Sequence, residues 1–111
     1  MERWDLLELD APDGTRDPIV LHSDSGARAV LLVLRPGQEL RDHEVKENAW
    51  VTILDGELEI DANGATVTGT RGTMVRFDPG ERHALRSPNG ARVLLMLAPW
   101  PGEGHYRGDA R

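Results

Sequence analysis

Four histidines, at positions 22, 43, 83 and 105, are the side chains of this 111-residue chain best suited to proton or ligand chemistry near neutral pH. Cysteine is absent, so thiolate nucleophiles and disulfides are excluded and any metal site must be built from imidazole and oxygen ligands. His43 stands between Asp42 and Glu44, and His83 follows Glu81 and Arg82. In an extended segment, alternation aims Asp42 and Glu44 away from the face that carries His43. Glu47 shares the parity of His43 if the chain stays extended past Val45, although a turn fits the same position. No Gly-rich phosphate loop, no Ser-His-Asp order and no pair of inward carboxylates is present, which argues against a nucleophilic enzyme.

The elements that must position these groups are short strands. Apolar residues recur at every second position or in brief blocks, broken by Gly, Pro, Asp and Asn, and no window holds a sustained helical stripe. Strands are expected at 27–35, 49–54, 57–61, 73–77, 82–86 and 92–98, with two more at 4–9 and 18–22. Asp55-Gly56 and Asn63-Gly64 each separate alternating runs and tolerate the positive φ angles of tight turns, so the middle of the chain reads as a meander of hairpins. One domain of this size cannot leave an open sheet wet on its apolar face, and closure into a barrel or sandwich is the expectation. Leu58 and Ile60 point inward while Glu57 and Glu59 form a solvated face. Arg76 has the outward parity of its strand. Glu81 and Arg82 fall in a turn where a salt link at the rim is the ordinary account.

The 49–54 strand carries Trp50 and Leu54 opposite Ala49, Val51 and Ile53, and 93–97 is apolar on both faces. Either the amino-terminal segment lies across one sheet or two copies bury these faces as a homodimer, and the dimer is the favoured expectation. Trp4, Trp50 and Trp100 are read as core or interface residues rather than ligand platforms. The net charge of −6, without a basic run, argues against nucleic acid. No run of eighteen apolar residues and no basic-then-apolar start is found, so a membrane partner is not expected and a cytoplasmic location is.

Two segments carry a family resemblance. Residues 37–56, GQELRDHEVKENAWVTILDG, resemble the first cupin motif, G-x5-H-x-H-x3-E-x6-G, and are preceded by Arg35-Pro36. Residues 72–87, GTMVRFDPGERHALRS, resemble the second, G-x5-P-x-G-x2-H-x3-N, with Pro79 one place late and Ser87 in place of the asparagine. The ordered pair implies an all-β, single-domain cupin, a double-stranded β-helix or jelly-roll barrel spanning residues 1–111, with 99–111 as a tail that either hangs loose or crosses a neighbouring barrel.

The resemblance also implies a site. Metal-binding cupins use three histidines and a glutamate from these motifs, but here the second histidine position is Val45 and the glutamate position is Ala49. His43 and His83 remain, expected to face each other across the hollow of the barrel. Two imidazoles rarely hold a catalytic divalent ion, so a third ligand is needed, from Glu47, His22 or His105. The leading expectation is therefore a small-molecule ligand at His43, His83, Val45, Ala49, Val51, Ile53 and Phe77, because replacing buried polar groups with small apolar ones leaves a drier interior. One alternative is an oxygenase- or isomerase-type enzyme with a divalent transition metal (Zn, Fe, Mn or Ni) on His43, His83 and Glu47. The other is a structural or regulatory dimer with an idle barrel, its two histidines being hydrogen-bonded packing residues.

Overall fold

Eight strands run between residues 19 and 98 of a computed structural model that describes residues 1–10 and 18–102. They are β1 (Ile19–Ser23), β2 (Arg28–Leu34), β3 (Glu39–His43), β4 (Asn48–Ala62), β5 (Ala65–Thr70), β6 (Met74–Phe77), β7 (His83–Arg86) and β8 (Ala91–Ala98). Every pairing is antiparallel. One sheet runs β1-β2-β8-β4-β6 and the other β3-β7-β4-β5, with β4 common to both. The strands thus curl around a single core, as an all-β cupin barrel requires.

The shared strand is the main departure from a meander. Residues 49–54 and 57–61 are not two strands of a hairpin but parts of one 15-residue strand. Its register against β8 slips between Ile53 and Asp55, a bulge that inserts a residue and flips side-chain parity. Ala49, Val51 and Ile53 face inward before the slip, and Leu58 and Ile60 face inward after it, all five within 3% of full burial. Gly56, at φ 84°, lets the chain turn from the first sheet into the second. The other dipeptide behaves as expected. Asn63 (φ 55°) and Gly64 (φ 78°) form the two-residue loop of the β4–β5 hairpin, in which Ala62 pairs with Ala65.

Residues 4–9, expected as a strand, form a turn instead, with the N–H groups of Glu8 and Leu9 both donating to the Asp5 carbonyl. Arg92 takes the place of a ladder there, donating to the carbonyls of Leu6 (2.6 Å) and Leu9 (2.7 Å) and so tying this segment to the outer face of β8. Two strands, β3 and β5, lie in stretches with too few apolar residues to betray them. Backbone pairing with β7 and β4 holds them rather than burial.

Val30, Leu32, Leu34, Leu58, Ile60, Phe77, Leu85 and Val93 are among the residues that fill the space between the sheets. Leu31 is fully buried on the opposite face of β2. The same outer face carries a row of cross-strand neighbours, Met74, Thr52, Leu94, Leu31 and Ile19, beside a second row of Arg76, Trp50, Met96 and Ala29. The amino-terminal segment crosses the Arg92 end of this face, while Met74 is 59% exposed and Trp50, Leu94 and Met96 are half-buried.

Candidate functional site

His43 closes β3 and His83 opens β7, and the two residues are directly opposite in the antiparallel ladder. Cross-strand partners project to the same side of the sheet, so the rings meet, with centroids 4.3 Å apart and planes at 60°. The histidines are therefore side by side on one wall, not opposed across the hollow. Phe77 reaches them from β6 in the other sheet and stacks on His83, with 3.9 Å between centroids and 4° between planes. His83 is buried and His43 half-buried.

Each ring is oriented by the backbone carbonyl two residues before it. His43 Nδ1 lies 2.8 Å from the carbonyl oxygen of Arg41, and His83 Nδ1 lies 2.9 Å from that of Glu81. A carbonyl oxygen only accepts, so both Nδ1 atoms carry the proton and donate. In the neutral rings both Nε2 atoms are then bare acceptors.

The turn that delivers His83 is itself well fixed. Glu81 accepts from the Asp78 N–H (2.9 Å) and from Asn63 Nδ2 (2.6 Å), and the Gly80 N–H donates to the Val45 carbonyl (2.8 Å). The last of these bonds joins the two motif segments. On the outside, Arg82 pairs with Asp42 (2.9 Å) and Glu44 (3.4 Å), the expected rim link, and these acids raise the Arg82 pKa. Ser87, at the asparagine position of the motif, works through its backbone, accepting from the Gly37 N–H and donating to the Gln38 carbonyl.

His43, His83, Val45, Ala49 and Val51 line a small enclosed cavity of about 30 Å³. Its walls are completed by Leu32, Leu40, Leu85, Val93 and Leu95. Inward parity on an expected strand was the available signal for Leu32, Leu85, Val93 and Leu95, and it does not distinguish a cavity wall from solid core; Leu40 lies on β3, which gives no such signal. Phe77 contributes through its stack on His83, and Ile53 lies fully buried outside the lining. The wider surface grooves, such as the one along Arg3 to Glu8, are open and hold neither imidazole.

Burial pushes the His83 pKa below the ordinary histidine value. The adjacent His43 ring adds to the depression, against the hydrogen bond to Glu81, which raises it. His22 is elsewhere, exposed on β1, where a 2.8 Å hydrogen bond to Asp24 raises its pKa.

Glu47 is fully buried but does not line the cavity; its Oε2 accepts from the Gly102 N–H at 2.7 Å. Gly102 packs so closely there that a Cβ would overlap the Lys46 carbonyl. Trp100 lies against the core beneath the Arg28 guanidinium, which is 4.7 Å from the ring centroid. The described part of the tail is thus fastened to its own barrel. His105 lies outside the described residues.

Among the described residues no cluster of three or more His, Asp or Glu side chains assembles into a metal-holding group. The donor set, two imidazoles among Val45, Ala49 and leucines, does not fit the four-ligand metal centre that the motif resemblance implies.

The sequence profile described as "Cupin domain" matches residues 30–98, more than half of the chain. No curated protein matches. Among solved structures, an RmlC-like cupin protein from Desulfovibrio desulfuricans is 25% identical, with a TM-score of 0.79 over 89% of this chain and 97% of the other. A protein of unknown function from Streptococcus pyogenes is 26% identical, with a TM-score of 0.76 over 87% and 86% of the two chains. A cupin superfamily protein from Desulfitobacterium hafniense has a TM-score of 0.75 at 14% identity, over 81% and 83%.

Proposed function

The chain belongs to the cupin domain family, and on that premise we propose that it binds a small molecule at His43 and His83, next to Val45, Ala49 and Val51. The observation that carries this reading is the pair of imidazoles, each oriented by a backbone carbonyl, at the edge of an otherwise apolar cavity. Buried polar groups in native proteins are satisfied, and two neighbouring acceptors on an apolar wall are the polar handle a ligand needs. The cavity volume is far below that of a drug-sized site, so the ligand is small or enters by moving the wall.

Native mass spectrometry of untagged protein, with elemental analysis, tests this reading. A bound species that survives chelation is expected, with less than about 0.1 equivalent of any transition metal. Loss of the bound species on chelation, or stoichiometric metal, would favour the oxygenase- or isomerase-type metalloenzyme instead. Retention of the same species by a His43→Leu, His83→Leu double variant would leave the barrel idle.

The proposal extends to a homodimer through the outer face around the exposed Met74 and the half-buried Trp50, Leu94 and Met96. Sedimentation equilibrium is expected to give twice the chain mass, falling to the monomer in Leu94→Asp. A monomeric parent protein would remove this part of the proposal.

A further inference from the structure

The polar equipment of the cavity is one-sided. Both Nδ1–H groups are spent on backbone carbonyls, at 2.8 Å for His43 and 2.9 Å for His83. Every other lining side chain is Val, Ala or Leu. The lining therefore offers an occupant two lone pairs and no side-chain donor, and it holds neither an arginine nor a lysine to balance an anion.

We propose that the ligand enters this cavity by a neutral hydrogen-bond donor, a hydroxyl or an amide N–H, and that the site discriminates against carboxylates and phosphates. This rests on the small-molecule reading and names the class of ligand. An anionic group would place its lone pairs against two imidazole lone pairs in an apolar shell, losing its hydration with nothing in return. An ammonium group would have donors but no counter-charge, and burying it unpaired is unfavourable for the same reason. The depressed pKa of His83 supports the argument, because that ring resists the protonation that would turn it into a donor. Size agrees as well. A cavity of about 30 Å³ admits one hydroxyl-sized group, not a ring such as benzene, which occupies roughly 150 Å³ in an engineered cavity. The donor tip enters first, and any larger ligand body must lie outside it or displace the wall.

The test is ¹⁵N spectroscopy of histidine-labelled, full-length protein at pH 8, titrated with methanol, phenol, benzoate and toluene. The free protein should show both rings as Nδ1–H tautomers, and an Nε2–H tautomer at either residue would overturn the proposal. Methanol or phenol, each with one O–H to donate, should shift Nε2 of at least one ring saturably. Benzoate and toluene should bind at least about tenfold more weakly, the equivalent of one unmade hydrogen bond. His43→Leu should weaken phenol or methanol by a similar factor while leaving the backbone spectrum folded, and an unchanged affinity would count against the proposal. Benzoate or toluene matching the alcohols would overturn the ligand class and leave the pocket standing. If no probe moves either ring, the pocket reading falls together with the class.

Discussion

Gly56→Ala is expected to leave little folded protein at 25 °C, a loss of about 4 kcal/mol or more, placing it at the severe end of single substitutions. Two effects combine at this position. The residue sits at φ 84°, where a side chain is strained by about 1–2 kcal/mol. A Cβ would also overlap the Gly90 carbonyl oxygen and come within 2.8 Å of Ala91 Cα. Both are backbone atoms of the paired segment, so neither can swing aside as a side chain would. Glu57 N–H donates to the same Gly90 carbonyl at 3.3 Å, and moving that oxygen would disturb the bond just where β4 changes sheets. Gly64→Ala provides the comparison, because Gly64 has φ 78° with nothing within 4 Å of its would-be Cβ. That variant should lose only the conformational part, about 1–2 kcal/mol. Urea denaturation of the two variants separates the effects, and equal losses would show that close approach to Gly90 is unimportant.

Gly56 also shows where sequence patterning stops. Period-two alternation identifies the inward residues on both sides of it, Ala49, Val51 and Ile53, then Leu58 and Ile60, and all five are buried. The same pattern cannot tell a hairpin from a bulged strand that changes sheets, since Asp-Gly suits both and only the partner strand decides. The partner here is β8, whose pairing continues past the slip to Gly56. Asn63-Gly64 was legible as a hairpin because the residues after it pair straight back onto β4.

The site divides in a similar way. The motif spacing singles out His43 and His83, but their contact arises from a long-range register between β3 and β7, and β3 has too little apolar content to be visible as a strand. Phe77 was legible as an inward residue. Its stack on His83 was not, because it spans two sheets. Glu47 has the parity of a ligand, yet the chain bends there and Gly102 receives its carboxylate. A contact across 55 positions leaves no local trace.

His83→Ala is expected to lower stability by about 3 kcal/mol at pH 7.5 and to remove a pH dependence that the parent protein shows below neutrality. The first effect follows from losing a buried ring stacked on Phe77 and packed against His43, and from leaving the Glu81 carbonyl without its donor. The second follows from linkage. Burial holds the folded-state pKa of His83 below 6.5, so between that value and the unfolded one the unfolded chain binds more protons. The stabilising contribution is fully present above pH 6.5 and is lost as the pH falls through the depressed folded-state value. His22 acts with the opposite sign, since its raised pKa gives a contribution present below 6.5 and lost as pH rises through the raised value. It is exposed and paired with Asp24, so it offsets little of the slope. Asp24, lowered to about 2, and Asp61, also lowered, keep their contributions until the pH drops below the carboxylate range, leaving pH 5–7 to the histidines. Urea midpoints measured across that window should therefore fall towards pH 5 in the parent protein and stay nearly level in His83→Ala. A parent protein more stable at pH 5 than at pH 7 would mean that the imidazole beside Phe77 accepts its proton without penalty, against the burial that defines the site.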